Sequence, residues 1–367
     1  MRAVLLLLAA LLGPAHAAAP DLFGGGRLVV YRPLGYTPDA TWRPRAATLR
    51  ADAEDLARLG FRALVTERTT PRLKPICRFF KRHGFVAVII GIADPTDAAE
   101  LRATRALRRC ADGYAVGSGG LATRRYGRRV LETAAAALRR ATGRPVAVRE
   151  LVASYRADPH LLGVGDWVFP IDAGDPSRGA QEACGLTMLA YRELLERGPQ
   201  DRPLALASAG LPTAGDPGAN EHAQRAYFSC LASRGVPFAY DEAYDQPWQG
   251  AAAGARGLHR DDGTPKLFAW QLARPRVTIS RTAPELAGRV AGATPSRFAV
   301  LVYTRDAARW QPAPPAPISR RGGWVAAGAG ERPAVALLAA RAFTPPAAGE
   351  RPPPVDGVHL FATAATP

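Results

Sequence analysis

Short apolar runs alternate with longer amphipathic runs over more than two hundred residues, and this alternation limits the fold more than any other feature. Eight runs have the length and apolar content of buried strands: residues 27–31, 61–66, 86–92, 113–117, 145–148, 166–171, 203–207 and 237–240. The runs between them are helical in pattern, and residues 46–59 carry leucines at helical spacing before a terminating glycine. Residues 86–92 are apolar throughout, as in a strand buried on both faces of a parallel sheet.

Eight strands joined by helical crossovers predict an α/β fold, the (β/α)8 TIM barrel. An open, doubly wound sheet is the alternative, but no dinucleotide fingerprint follows the first strand. In a barrel, functional groups lie on the loops that follow the strands. We therefore expect a site at those loops.

Beyond residue 275, strand-like pieces are separated by proline-rich turns. The pieces are residues 298–304, 324–327, 335–339 and 358–362, and they predict a small all-β C-terminal module. The predicted organisation is a signal peptide at residues 1–17, a barrel at 18–275 and a β-rich module with proline-rich turns at 276–367.

The first 17 residues have the parts of a secretory signal. Arg2 is followed by an apolar run at residues 3–12 and by a small-x-small cleavage site at residues 15–17. That run is too short to span a bilayer, and no later run reaches the roughly 18 apolar residues that a span needs. We expect a secreted or periplasmic protein without a transmembrane segment after cleavage; an uncleaved anchor is the alternative.

The formal net charge of +16 would suit an anionic partner such as nucleic acid. However, only three of the 48 basic residues are lysines, and no dense basic block or RNA-binding signature is present. The arginine excess, with abundant alanine, glycine and proline, is typical of a GC-rich coding sequence. We therefore predict no nucleic-acid partner.

The four cysteines fit an oxidising compartment. Cys77 and Cys110 fall on the second and third predicted helices, and Cys184 and Cys230 on the sixth and seventh. Consecutive helices are neighbours in the outer ring of a barrel. Of the three possible connectivities, we therefore predict Cys77–Cys110 and Cys184–Cys230. The separation of these pairs and the scatter of the histidines predict no metal site, and no cofactor is indicated.

Carboxylates and large aromatic rings are concentrated around the end of the eighth strand, in PFAYDEAYDQPWQ at residues 237–249. Carboxylates accept hydrogen bonds from sugar hydroxyls, and flat rings cover a pyranose face. The composition therefore predicts a sugar site. The substrate-binding candidates are Glu67, Tyr240, Asp241, Tyr244, Asp245 and Trp248.

This stretch resembles the Glu-Ala-Phe-Asp-x-Pro-Trp segment of bacterial members of glycoside hydrolase family 17, retaining enzymes that act on β-1,3-glucans. Residues 116–120, 202–215, 257–258 and 263–266 also match family segments in the expected order. The resemblance covers roughly residues 27–269. It implies a β-glucan-type polysaccharide or oligosaccharide as the partner.

Both catalytic carboxylates of the family are replaced at the matched positions. The nucleophile position is Ser208 and the general acid/base position is Gly119. A retaining glycosidase needs two carboxyls about 5–5.5 Å apart. A glycine cannot transfer a proton, and an unactivated serine is a poor nucleophile. The resemblance with these replacements implies an exported glycan-binding protein that does not hydrolyse β-1,3-glucan.

Two other functions stay open from the sequence. Glu150 and Glu242 are fallback catalytic candidates, with which the chain would be an active glycosidase or transglycosylase. Alternatively, the cleft is vestigial and the chain is a protein-interaction scaffold whose C-terminal module docks a partner. An open, aromatic-lined mouth favours a glycan function, and a filled mouth favours the scaffold. The oligomeric state is not predicted.

Overall fold

The computed structural model describes most of the chain after the predicted signal peptide, which lies outside the described residues. The described ranges are 26–38, 42–199, 201–282, 285–327, 332–341, 343–344, 346–352 and 360–365.

A parallel sheet of nine short strands forms the barrel. Its strands are β1 (Arg27–Val30), β2 (Phe61–Val65), β3 (Ala87–Ile92), β4 (Gly113–Val116), β5 (Val146–Val148), β6 (Trp167–Val168), β7 (Ile171–Ala173), β8 (Leu206–Gly210) and β9 (Phe238–Tyr240). Their order is β6-β5-β4-β3-β2-β1-β9-β8-β7. Because β6 and β7 are two halves of one strand, interrupted at Pro170, the two ends of the sheet meet there. The predicted (β/α)8 fold is confirmed.

Alternate strand residues face the barrel interior and the helix layer. Leu28 and Val30 pack inside the barrel, whereas Val29 packs against the surrounding helices. All six residues of β3 are buried, as its apolar pattern predicts. Val86, just before it, is 64% exposed, so the fully buried segment begins one residue later than predicted.

Eight α-helices accompany the strands in the described part of the chain. They are α1 (Ala46–Arg58), α2 (Lys74–Arg82), α3 (Ala98–Leu107), α4 (Arg128–Thr142), α5 (Val152–Ala157), α6 (Ala180–Arg197), α7 (Glu221–Ser233) and α8 (Leu267–Ala273). Helix α1 is followed by Gly60, whose φ of +86° suits glycine. No described helix is long and apolar enough to cross a membrane.

Both predicted disulfides are confirmed. Cys77–Cys110 links α2 to the end of α3, and Cys184–Cys230 links α6 to α7, with Cα–Cα distances of 5.5 and 6.4 Å. Each bridge joins consecutive helices of the outer ring. Two disulfides are typical of a protein in an oxidising compartment.

Antiparallel sheets follow the barrel. The strands are β10 (Arg276–Thr282), β11 (Glu285–Ala291), β12 (Phe298–Asp306), β13 (Arg309–Pro312), β14 (Ala316–Pro317), β15 (Gly323–Ala326), β16 (Ala334–Ala340) and β17 (Leu360–Ala365). One sheet has the order β10-β11-β15, and the other the order β13-β12-β16-β17 with β14 beside β12. Apolar residues of both sheets share one core with Trp270 of α8. The predicted all-β region is confirmed.

Buried ion pairs connect this β region to the barrel. Arg297, from the loop before β12, contacts Asp52 and Asp55 of α1, with N–O distances of 2.7 Å to each. Thr294 donates to Asp55 at 2.6 Å. His259, from the loop after β9, lies 3.1 Å from the same Asp55 carboxylate. Arg297 also donates to the Tyr244 hydroxyl at 3.2 Å, so the C-terminal region is joined both to α1 and to the segment after β9 by polar contacts.

Candidate functional site

The carboxyl ends of the barrel strands surround an open cleft of about 280 Å³, here called the mouth. Charged side chains that follow four of the strands line it: Arg32 after β1, Glu67 after β2, Arg149 after β5, and Asp241, Glu242 and Arg256 after β9. Ser118 and Ser208 line it too. The site therefore lies where the sequence analysis predicts it, at the loops that follow the barrel strands.

A second cleft of about 360 Å³, here called the groove, lies beside the mouth and shares Arg32 and Glu67 with it. The rings of Tyr36 and Trp248 line the groove, with their centroids 5.9 Å apart. Trp248 is 43% exposed, and its indole N–H donates to Gln246 at 3.0 Å. The mouth thus opens into an aromatic-lined groove, the arrangement that favours a glycan function.

Arg32 joins two carboxylates at the centre of the mouth. Its Nη1 contacts Glu242 at 2.5 Å, and its Nη2 contacts Glu67. The guanidinium carbon also lies 5.7 Å from the Trp248 ring centroid. Because each Nη atom binds a different carboxylate, the guanidinium occupies the space between Glu67 and Glu242.

Glu242 is 1% exposed, and its burial raises the pKa to about 8, although Arg32 acts in the opposite direction. Nearby Asp241 contributes to the rise. The environment therefore favours a protonated Glu242 around neutral pH, unlike an exposed glutamate.

This shift predicts a pH-dependent stability. Because the pKa of Glu242 is higher in the folded than in the unfolded chain, its contribution is complete below the ordinary value near 4.5 and is lost as the pH rises through about 8. Raising the pH from 5 to 8 should lower the melting temperature of wild type more than that of Glu242→Gln, by on the order of a few degrees. Glu196→Gln, on the exposed face of α6, is the control and should behave as wild type. An equal pH dependence of the melting temperature in wild type and Glu242→Gln would contradict the raised pKa of Glu242.

Arg149 is 3% exposed and crosses from β5 towards β2 and β4. It donates to the carbonyls of Thr66, Glu67 and Gly117 at 3.3 Å each, and to Ser118 Oγ at 3.1 Å. Burial lowers its pKa to about 10, and the positive charge of Arg32 adds to the shift. All of these hydrogen-bond acceptors are neutral.

Glu150 does not line the mouth, so the fallback pair Glu150 and Glu242 is not brought together there. Its carboxylate accepts from the Tyr126 hydroxyl at 2.6 Å and from the Leu121 N–H at 3.2 Å. These bonds hold the segment after β4 in place. Alternation along the chain turns Arg149 towards the mouth and the Glu150 side chain away from it.

The two replaced positions lie in different surroundings. Ser208 is on β8, in register with Ile171, and lines the mouth. Gly119 has a φ of +77°, a conformation that side-chain-bearing residues rarely adopt. A glutamate at position 119 would therefore be strained in this backbone.

Three of the predicted substrate-binding residues lie away from both clefts. Tyr240 is 3% exposed and packs against Phe228 and Phe268 in the helix layer. Tyr244 is fully buried beside Arg297. Asp245 binds Lys266 Nζ at 2.7 Å.

The backbone after β9 explains this placement. Glu242 N–H donates to Arg256 O and Ala243 N–H to Val30 O, so the segment continues the barrel wall instead of forming a free loop. This corrects the expectation that Tyr244 faces a sugar. Glu67, Asp241 and Trp248 do line the mouth or the groove.

Two arginines of the mouth, Arg32 and Arg149, were not predicted from the sequence. Arg32 and Arg149 each lie within two residues of a strand end, which is the signal that would have found them. Glu67 pairs with Arg32, whereas the neighbouring Arg68 binds Glu100. No group of three or more His, Cys, Asp or Glu side chains in the described part of the chain is placed to hold a metal ion.

Solved structures of glycan-active enzymes are similar to this chain. An endo-laminarinase from Formosa superposes with a TM-score of 0.59 at 16% identity, covering 70% of this chain and 89% of that one. A glycoside hydrolase family 17 β-1,3-glucanosyltransferase from Rhizomucor miehei gives 0.55 at 15% identity, covering 66% and 96%. The chain shares the fold of these enzymes.

A longer stretch of this chain is similar to part of a larger enzyme. β-Glucuronidase 2 from Bacteroides uniformis superposes with a TM-score of 0.51 at 12% identity over 92% of this chain and 45% of that one. No family model and no curated protein matches the sequence.

Proposed function

We propose that this chain is an exported glycan-binding protein of glycoside hydrolase family 17 descent that does not hydrolyse β-1,3-glucan. The family assignment rests on the sequence matches around Ser208 and Asp241, and the fold shared with a family 17 enzyme supports it. The open mouth and the groove lined by Tyr36 and Trp248 support glycan binding over the scaffold alternative.

The observation that carries the proposal is the position of Arg32 between Glu67 and Glu242. Retaining hydrolysis requires one carboxyl to attack the anomeric carbon and another to protonate the leaving oxygen. At the matched positions, Ser208 and Gly119 supply neither group. The remaining glutamates of the mouth bind one guanidinium, so a glycosidic bond cannot lie between them while Arg32 is in place.

Binding does not need the missing carboxylates. Affinity for a sugar comes from stacked rings and from hydrogen bonds to hydroxyls along the cleft. Trp248 offers an exposed ring, and Glu67, with a side chain 31% exposed, offers an acceptor beside it. We assign the groove as the main contact surface for the glycan, with β-glucan-type chains as the expected class.

The alternative of an active glycosidase has one observation in its favour. A glutamate that burial keeps protonated has the state required of a general acid, and Glu242 is such a group. In this alternative, Glu242 acts as the acid and Arg32 moves aside on substrate binding. The following assay separates the two functions.

Purified protein lacking residues 1–17 should release no reducing sugar from laminarin above a blank. The physical reason is that Gly119 and Ser208 replace the family carboxylates and that Arg32 lies between Glu67 and Glu242. An active endo-laminarinase on the same substrate is the positive control, and Glu242→Gln is the matched variant. Turnover by wild type that disappears in Glu242→Gln would reject the non-hydrolytic function and favour the glycosidase.

We also propose that the protein is exported and that it consists of three segments. Residues 1–17 are the cleaved signal, residues 18–275 the barrel and residues 276–367 the C-terminal module. Mass spectrometry of protein recovered from the periplasm or medium should give an N-terminus at Ala18. Retention of the full-length chain in the membrane fraction would favour the uncleaved anchor.

A further inference from the structure

We propose that the mouth binds an anionic substituent of the glycan, a carboxylate or a sulfate ester, and that Arg149 and Arg256 are the residues that hold it. This inference rests on the proposed glycan-binding function and narrows it to acidic chains. In this arrangement, the charged substituent enters the mouth, and the sugar rings extend along the groove past Trp248.

Arg149 is a buried guanidinium that no carboxylate hydrogen-bonds in the described structure. A buried guanidinium is normally paired with a carboxylate, because an unpaired buried charge is costly. Arg149 is 3% exposed, yet the groups to which it donates in the described structure are three backbone carbonyls and the Ser118 hydroxyl. A guanidinium has five N–H donors, so one donor is left beyond these four bonds. Arg149 lines the mouth, so an entering anion would supply a hydrogen-bonded charged partner, in addition to the charges of Asp241 and Glu150, which act on Arg149 without a hydrogen bond in the described structure.

The ion pairs of the mouth are distributed unevenly among its three arginines. Arg32 is bound by two carboxylates, Glu67 and Glu242. Arg256 contacts Asp241 at 3.3 Å, a long contact that leaves its other nitrogen atoms for a ligand. The Arg149 and Arg256 side of the mouth thus has one contacting carboxylate, that of Asp241, for two guanidinium groups. Burial that raises the pKa of Glu242 to about 8 removes further negative charge near neutral pH.

Ser208 stands at the position of the missing family nucleophile, and Ser118 precedes the position of the missing acid/base, Gly119. Ser208 and Ser118 line the same mouth, and both are neutral hydroxyls able to donate to an anionic oxygen. A glutamate at position 208 would repel an anion there, whereas a serine does not. Arginine with neighbouring hydroxyls is a chemistry suited to carboxylates and sulfates.

The test compares neutral and acidic forms of one type of glycan. Calorimetry is performed with laminarihexaose, with the same hexaose oxidised to carboxylates at C6, and with sulfated laminarin oligosaccharides. We expect wild type to bind one or both acidic ligands at least about tenfold more tightly than the neutral hexaose, as one charge-assisted contact allows. The carboxylated and sulfated arms distinguish the two kinds of anion.

Two arginine variants test whether the preference for acidic ligands arises in the mouth. Arg256→Gln and Arg149→Gln should each reduce the ratio of acidic to neutral affinity about fivefold or more, the value of a charged hydrogen bond. Because Arg149 is buried and donates four hydrogen bonds to its neighbours, Arg149→Gln could fail to fold. Arg256→Gln, whose side chain is 20% exposed, keeps the test valid in that case. Arg192→Gln, exposed on α6, removes the same charge elsewhere and should keep the wild-type ratio.

Each remaining outcome overturns the inference. Equal affinity for neutral and acidic hexaose would reject it while leaving the proposed function in place. A preference for acidic ligands that Arg192→Gln reduces as much as Arg256→Gln would assign it to the overall charge of +16. Failure of wild type to bind any of the three ligands would reject the inference together with glycan binding.

Discussion

Replacing Arg297 by methionine should lower the free energy of unfolding by about 3–5 kcal/mol, the cost of leaving buried partner charges unpaired. Arg297 contacts Asp52 and Asp55 at 2.7 Å each, and these carboxylates are 0% and 4% exposed. Burial opposes ionisation of Asp55, but Arg297 and His259 hold its pKa below the ordinary value. Methionine fills a similar volume but leaves both carboxylates without their strongest partner.

Chemical denaturation monitored by fluorescence and by circular dichroism measures the effect. Arg305→Met is the matched control, because Arg305 is exposed on β12 of the same β region and should change stability by less than about 0.5 kcal/mol. Since Arg297 joins the C-terminal sheets to α1, both probes should report an earlier transition in Arg297→Met. A loss no greater than that of Arg305→Met would show that the ion pairs contribute little net stability.

Replacing Trp248 by alanine should weaken glycan binding by about 1–3 kcal/mol, in line with the loss of a large ring from a sugar contact. The ring is 43% exposed on the groove and is held by Tyr36, by its hydrogen bond to Gln246 and by the nearby Arg32 guanidinium. It is thus fixed in position before a ligand arrives, so little ordering cost accompanies binding.

Trp248→Phe, which keeps an aromatic face, is the matched variant and should retain part of the affinity. Calorimetry against a β-glucan oligosaccharide, chosen from a glycan array, measures both variants. Wild-type affinity in Trp248→Ala would exclude the groove as the sugar site. If wild type binds no glycan on the array, the scaffold function takes precedence.

The position of Glu242 determines how its substitution by glutamine would affect glycan binding. As an exposed acceptor, it would contribute one hydrogen bond to a sugar. Instead, it is 1% exposed and bound to Arg32, so Glu242→Gln acts first on the charge and position of Arg32. We therefore expect Glu242→Gln to affect glycan binding through the position of Arg32 in the mouth.

Much of the fold could be predicted because its signals are local. Apolar runs of strand length and leucines at helical spacing report which residues are buried in the same element, and β3 and α1 follow these patterns closely. The disulfides were predictable too, because consecutive helices of a barrel are neighbours. Trp248 was predicted as a substrate-binding residue because it follows a strand and has a flat ring with one polar N–H group.

The candidate site was predictable only in part, because side-chain direction after a strand depends on the backbone path. Tyr244 and Trp248 are four residues apart, yet Tyr244 is buried and Trp248 is exposed. The difference arises because the backbone after β9 bonds to Val30 and Arg256, which continues the wall before the chain turns outward. No local pattern reports those bonds.

The sequence by itself determined the order of strands and helices, the two disulfide pairs and the absence of the family carboxylates at positions 119 and 208, since each depends on residue identity and short-range spacing. Only the tertiary structure decided which charges meet. Arg32 reaches Glu242 across 210 positions of the chain, and Arg297 reaches Asp52 across 245. Contacts at such separations are set by how the barrel closes and how the C-terminal sheets pack on α1. Their energy depends on burial, which exists only once the chain has folded.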